Sequence, residues 1–107
     1  MVTVTSGGAN AWGGDTELRS AATATKPFKV VGVHYVPTED KFMQVRLSPD
    51  SGSTYFKSDQ FQKMKDTGTS ASAITDFIFN AGVRISASSR AIEANKTVAI
   101  WLDIQEI

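Results

Sequence analysis

Hydrophobic and polar residues alternate over short runs along most of the chain, and turn-forming residues separate the runs. Two runs are the clearest: 28–36, rich in β-branched and aromatic residues, and 97–104, where every second residue from Val98 is aliphatic. Further short strands are predicted at 16–20, 42–47, 54–56, 74–79 and 83–87, the last extended by 91–92 after a kink at Ser88-Ser89. The pattern therefore predicts roughly seven or eight short strands and no long helix.

Strands at intervals of about 8–14 residues are typical of antiparallel sandwiches and barrels. A parallel α/β fold needs a crossover of about a dozen residues between strands, usually a helix. The pattern provides only one predicted helical turn, where Phe61 and Met64 are spaced i, i+3. We therefore predict an all-β chain that forms a single antiparallel, jelly-roll-like β-sandwich.

The first fourteen residues differ from the rest in composition. They contain four glycines among Thr, Ser and Ala, and Trp12 is the single large side chain after Met1. Such a segment has too little apolar surface to fold alone, which predicts a flexible N-terminal arm over 1–14 and a sandwich domain over 15–107. The pairs Gly7-Gly8 and Gly13-Gly14 lack the strand and helix that flank a phosphate-binding loop, so we expect flexible backbone there.

Composition excludes several classes of function. The chain has 107 residues, 11 basic and 11 acidic side chains, one histidine and no cysteine. This length suits one domain, and the lack of cysteine excludes a disulfide framework, a thiol nucleophile and a cysteine-based metal site. A formal charge of zero provides no general attraction to nucleic acid or to an anionic membrane. No signal peptide or membrane-spanning run is predicted.

The sequence contains no recognisable catalytic constellation. His34 is the single histidine and lies in a predicted strand, and there is no Gly-x-Ser-x-Gly motif that would place a serine nucleophile. The carboxylates fall in predicted turns or beside apolar strand positions, which favours solvated side chains over a paired acid and base. We expect no enzymatic activity, no metal and no cofactor.

The aromatic residues are the better candidates for binding. Trp101 has the opposite parity to Val98 and Ile100, so it points outward if those aliphatics face the core. An outward tryptophan suggests a subunit contact or a ligand platform, unless both faces of the strand are covered within the domain. Tyr35 has the same ambiguity. Trp12 is a candidate anchor that would fill a pocket on a neighbouring protein.

Two segments together resemble small β-sandwich proteins of tailed-phage virions. The first is Trp12-Gly-Gly-Asp-Thr-Glu-Leu-Arg-Ser-Ala21 followed by Phe28-Lys-Val-Val-Gly-Val33. The second is Ala81-Gly-Val-Arg-Ile-Ser-Ala-Ser-Ser-Arg-Ala-Ile92 followed by Thr97-Val-Ala-Ile-Trp-Leu102, which is similar to their closing pair of strands. Asn80 stands where those proteins usually have proline. The resemblance covers about half the chain.

The resemblance implies a capsid cement (decoration) protein, made in the host cytoplasm and located on the virion surface. Its expected partner is the major capsid protein or another virion protein. A homotrimer is favoured because it would cover an outward tryptophan and exposed strand edges. The expected partner-contact residues are Trp12, Leu18, Tyr35 and Trp101. The alternatives are a tail, neck or fibre component and a carbohydrate-binding module, whose sugar platform would consist of Trp101, Tyr35 and Tyr55.

Overall fold

The computed structural model describes residues 2–37, 42–62, 69–71 and 77–107. Within these ranges the regular secondary structure consists of strands. The strands are β1 (Val2–Thr5), β2 (Thr16–Arg19), β3 (Phe28–Pro37), β4 (Phe42–Ser48), β5 (Lys57–Gln62), β6 (Thr69–Ala71), β7 (Ile85–Ala91) and β8 (Thr97–Glu106).

The strands form two antiparallel sheets that pack face to face. Sheet A has the order β1-β8-β3-β6, and sheet B has the order β2-β7-β4-β5. In this arrangement β1 pairs with β8, β2 with β7, β3 with β6 and β4 with β5, as if one long hairpin had been wrapped into a sandwich. This is the strand arrangement of a jelly roll. The predicted all-β, jelly-roll-like sandwich is confirmed.

The hydrophobic core lies between the two sheets and uses alternate residues of each strand. Sheet A contributes Val4, Phe28, Val30, Val33, Tyr35, Val98 and Ile100, and sheet B contributes Met43, Val45, Leu47, Ile85, Ala87 and Ala91. Removing these side chains from water is the main stabilising contribution to the fold.

A β-bulge in β3 decides which residues of that strand face the core. Val30 pairs with Ile104 of β8, whereas Gly32 pairs with the next residue, Asp103. The extra residue on β3 shifts its parity, so Val33 faces inward after the bulge just as Val30 does before it. Every later residue of β3 takes its orientation from this shift.

The N-terminal segment is part of the sandwich rather than an arm beside it. Strand β1 pairs with β8 in register, and the Val4 side chain is completely buried. The loop that follows is held by main-chain hydrogen bonds: the Gly13 amide donates to the Ser89 carbonyl at 2.9 Å, and the Asn10 amide donates to Ala91 at 2.8 Å. The predicted boundary between Gly14 and Asp15 therefore does not separate two structural units. Main-chain hydrogen bonds hold this segment in place, although it has few apolar side chains to bury.

The strand predicted at 54–56 is wrong, because β5 begins only at Lys57. A longer turn precedes it, closed by the Asp50 carboxylate, which accepts hydrogen bonds from the Ser48 hydroxyl at 2.7 Å and the Thr54 amide at 2.8 Å. Gly52 has a φ of 95° in this turn, a conformation that glycine adopts without strain. Side-chain hydrogen bonds to the turn backbone therefore outweigh the strand preference of these residues.

The remaining strand predictions agree in position and differ in length. β7 runs without interruption through the predicted kink at Ser88-Ser89. The strand predicted at 74–79 is the exception. Residues 74–76 lie outside the described residues, Phe77 and Ile78 belong to no strand, and Phe79 forms an isolated antiparallel bridge with Phe28. Of the predicted helical turn, Phe61 belongs to β5 and Met64 lies outside the described residues.

Candidate functional site

The outer face of sheet B carries a cluster of aromatic and cationic side chains. Alternation along β4 places Met43, Val45 and Leu47 in the core, and therefore Arg46 on the outer face. The same alternation along β7 places Arg90 on the outer face as well. The N-terminal loop brings Trp12 to this face, and the turn before β5 brings Tyr55. We call Trp12, Arg46, Tyr55 and Arg90 the arginine stack.

Arg46 lies at the centre of the arginine stack. Its Cζ atom is 4.0 Å from the centre of the Trp12 ring and 4.2 Å from the centre of the Tyr55 ring. Both rings therefore contact the Arg46 guanidinium. Each such cation–π contact contributes about 0.5–1 kcal/mol at a solvent-exposed site. The Arg90 Cζ atom is 5.3 Å from the Trp12 ring centre, so Trp12 has both arginines near its ring.

Neutral hydrogen-bond partners hold both arginines. The Arg46 Nε–H donates to the Ser88 hydroxyl at 3.1 Å, and the Arg90 guanidinium donates to the Gln44 side-chain oxygen. The Gln44 amide in turn donates to Gln60 at 3.0 Å. These hydrogen bonds hold the two guanidiniums against β7, β4 and β5, and neutral partners leave both positive charges in place.

Three of the described carboxylates bind other cations. Asp15 and Glu17 both bind Arg84, at 2.7 and 2.9 Å, and the hydrogen bond that Arg84 donates to Asp15 is the main cause of its raised pKa. Asp59 binds Lys57 at 3.1 Å. Within the described part of the chain, neither arginine of the stack forms an ion pair with a carboxylate. Among the described residues, these two positive charges on the outer face of sheet B therefore have no carboxylate partner, although the formal charge of the chain is zero.

An apolar groove adjoins the arginine stack and shares Tyr55 with it. The groove has a volume of about 370 Å³ and is lined by Pro49, Thr54, Tyr55, Phe56, Phe77, Ile78 and Phe79. Packing between Phe56 and Phe79, with ring centres 5.0 Å apart, forms its floor against the core. Phe77 and Ile78 remain 62% and 54% exposed. Large apolar side chains at this exposure are typical of an interaction surface.

Trp101 lies on the opposite side of the molecule, on the outer face of sheet A. Ile100 beside it is buried, which agrees with the predicted outward orientation of Trp101. Its ring stacks on the cross-strand partner His34, with ring centres 4.9 Å apart and planes 13° apart. The His34 Nε2 atom is 2.6 Å from the Asp103 carboxylate. One face of the tryptophan is therefore covered within the chain.

Leu18 and Trp101 both line a small cavity at the open edge of the sandwich. The cavity has a volume of about 190 Å³, and its other walls are formed by Val2, Arg19 and three aliphatic residues of β8. Among the described residues, β1 pairs with β8 from Thr97 to Ile100, and no strand pairs with the rest of β8 on that side. Leu18 itself packs against the core.

Tyr35 faces the core, so its assignment as a partner-contact residue is wrong. Its side chain is 1% exposed, and its hydroxyl donates a hydrogen bond to Asp59 of sheet B. The bulge at Gly32 is the reason, because it turns Tyr35 inward and His34 outward. The sugar platform of Trp101, Tyr35 and Tyr55 is wrong for the same reason. Tyr35 is inside, and the other two lie on opposite faces of the sandwich.

The four residues expected to contact a partner therefore do not form one site. Trp12 belongs to the arginine stack, Leu18 and Trp101 meet at the edge cavity, and Tyr35 is internal. Sequence reasoning missed Arg46, Arg90 and the exposed pair Phe77 and Ile78. The alternation of β4 would have placed Arg46 outward, but nothing local indicated that Trp12 and Tyr55 would meet it.

The described residues contain no group of three or more histidine or carboxylate side chains placed to hold a metal ion. Over the same residues, no helix is long and apolar enough to cross a membrane. No known protein family matches the sequence, and no curated protein is significantly similar to it. The chemistry of the site must therefore be argued from its own side chains, which offer cation, aromatic and apolar contacts.

Proposed function

We propose that this chain is a non-enzymatic structural protein of a tailed-phage virion, most specifically a capsid cement protein that docks on the major capsid protein. The observation that supports the proposal is the apolar groove. Its exposed Phe77, Ile78 and Tyr55 form a continuous surface at one end of a domain whose other large apolar side chains are mostly buried. Such a surface is characteristic of protein–protein contact.

The fold is compatible with this function, although a fold alone does not establish one. Jelly rolls occur in viral capsid proteins and also in lectins. The docking element differs from the expected one, because the N-terminal segment pairs with β8 instead of extending toward a neighbour. The groove takes its place as the proposed contact with the capsid.

A homotrimer is part of the proposal. The edge of β8 beyond Ile100, which pairs with no strand among the described residues, and the adjoining cavity form the surface proposed to meet another subunit. Exposed strand edges are usually covered or otherwise protected in stable proteins, and a neighbouring subunit would cover this one. Mass measurement in solution tests the trimer. A Leu18→Asp variant that becomes monomeric while remaining folded would support this interface, and a monomeric wild-type protein would contradict it.

The docking role is tested on phage particles purified from the host culture that produces the chain. We expect peptide mass spectrometry to find the chain in the particles, and particles that lack it to lose their DNA at lower temperature. Added wild-type protein should restore heat resistance. Ile78→Asp should not restore it, because a charge in the groove opposes apolar docking.

Ile92→Asp is the matched control for that variant, since Ile92 is 53% exposed and does not line the groove. It should restore heat resistance as the wild type does. Absence of the chain from purified particles would overturn the proposed function, and equal rescue by both variants would overturn the role of the groove.

A further inference from the structure

We infer that the arginine stack is a binding site for a carboxylate side chain of a protein partner, with the partner's neighbouring apolar side chain seated in the groove. This inference rests on the proposed function only in taking the partner to be a protein. The partner must present an aspartate or glutamate beside an aromatic or aliphatic residue.

The stack is organised before any ligand binds. Arg46 contacts two aromatic rings and donates a hydrogen bond from its Nε–H to Ser88, so its guanidinium is already oriented. A free arginine side chain would lose conformational freedom on binding, and here much of that loss has occurred on folding. The remaining N–H groups of Arg46 match the two oxygens of a carboxylate in a bidentate pair.

Charge complementarity points to an external carboxylate. Arg46 and Arg90 lie on one face, while Asp15, Glu17 and Asp59 bind Arg84 or Lys57 instead. The flanking rings exclude part of the water around Arg46, which strengthens attraction to an opposite charge compared with a fully solvated arginine. Within the ranges that the structure describes, this surface thus presents two guanidiniums and no carboxylate bound to either of them.

A protein segment fits this site better than a sugar does. Carbohydrate recognition on aromatic residues uses open ring faces, and the Arg46 guanidinium reduces that area because it covers one face of Trp12 and one face of Tyr55. The second feature is the groove, which begins at Tyr55 and is lined mainly by apolar side chains. A carboxylate joined through a short backbone to an apolar side chain would occupy both at once.

The test is a nuclear magnetic resonance titration of the full chain, followed through the arginine Nε–H signals. The probes are two capped tetrapeptides, Gly-Glu-Phe-Gly and Gly-Gln-Phe-Gly, of the same shape and different charge. We expect the glutamate peptide to shift the Arg46 signal and to bind about tenfold more tightly than the glutamine peptide. Sodium glucuronate and inorganic phosphate are titrated as the sugar and phosphate alternatives.

Arg46→Gln should abolish the preference for glutamate, whereas Lys26→Gln should keep it. Lys26 is exposed and lies outside the stack, so the control removes the same charge elsewhere. If Arg46→Gln does not fold, Arg46→Lys keeps the charge but not the planar pair, and should reduce the preference partially.

Three results would overturn the inference: equal binding of the two peptides, no shift of Arg46 at peptide concentrations up to roughly 50 mM, or tighter binding of glucuronate or phosphate than of the glutamate peptide. The peptide titration is independent of the particle experiment. If the wild-type protein docks on particles but does not prefer the glutamate peptide, this inference alone is rejected. If the chain is absent from particles but prefers the glutamate peptide, the proposed function alone is rejected.

Discussion

Tyr35 of sheet A donates a hydrogen bond to the Asp59 carboxylate of sheet B, so a polar contact joins the two sheets through the core. Burial, together with this hydrogen bond, raises the pKa of the Tyr35 phenol above its ordinary value. Asp59 also binds Lys57 at 3.1 Å, which balances the carboxylate charge on its other side. Because the phenol is buried and hydrogen-bonded, the stability of the sandwich should depend on whether it keeps its proton.

Replacing Tyr35 by phenylalanine should lower the free energy of unfolding by about 1–2 kcal/mol, because Asp59 loses one donor while the ring stays in place. The wild type should also lose stability as pH rises above about 10. The unfolded chain releases the phenol proton there, whereas the folded protein still holds it. Urea denaturation of both proteins between about pH 8 and 11 measures the effect. A stability difference that does not change over this range would contradict the assignment.

The two glycines of the pair Gly13-Gly14 should differ sharply in their tolerance of alanine. A Cβ atom on Gly13 would lie 2.3 Å from the Thr5 carbonyl oxygen, whereas one on Gly14 would have no neighbour within 4 Å. Gly13→Ala should cost about 1–3 kcal/mol because main chain must move. Gly14→Ala should range from neutral to a gain of about 1 kcal/mol. Equal stability of the two variants in thermal unfolding would mean that the N-terminal loop does not pack as described.

Ile100 and Trp101 are neighbours with opposite orientations, and truncation should separate their roles. Ile100→Ala creates a cavity between the sheets and should cost about 2–5 kcal/mol. Trp101→Ala removes a larger side chain but should cost only about 1 kcal/mol, because one face of its ring contacts His34 on the surface. Chemical denaturation of both variants measures the two losses in the free energy of unfolding. A larger loss for Trp101→Ala would place the tryptophan in the core.

The Asp50 turn should give the protein an acid-sensitive contribution to stability. The hydrogen bond from the Thr54 hydroxyl is the main reason that the pKa of Asp50 is lowered. A lowered pKa in the folded state means that the contribution is present above the ordinary aspartate pKa and is lost as pH falls through the folded value. Asp50→Ala should therefore be less stable than the wild type at about pH 6, and the difference should shrink toward about pH 2.

Thr54→Val provides the matched variant, since it removes the hydroxyl donor and keeps the amide donor to Asp50. Its stability should lie between those of the wild type and Asp50→Ala. A difference between Asp50→Ala and the wild type that stays constant with pH would show that the carboxylate charge does not stabilise the turn.

Local pattern predicted the strands because burial on one face of a strand leaves a period of two in the sequence. It succeeded for β4 and β8, where the alternation is uninterrupted. It failed at 54–56, where Asp50 and Thr54 hydrogen-bond the turn, and over the first fourteen residues. In β1 only Val4 is fully buried, and one buried residue leaves no periodic signal.

The sequence by itself determined the class of the fold, the sandwich with short strands, and the lack of a thiol, of excess charge and of a recognisable catalytic motif. The tertiary structure alone decided that Tyr35 is internal, because a single extra residue at the β3 bulge reverses the orientation of all that follow. It also decided that Trp12, Arg46, Tyr55 and Arg90 meet. Their contacts join residues far apart in the chain, and such proximity depends on how two sheets and two loops close, which no local pattern records.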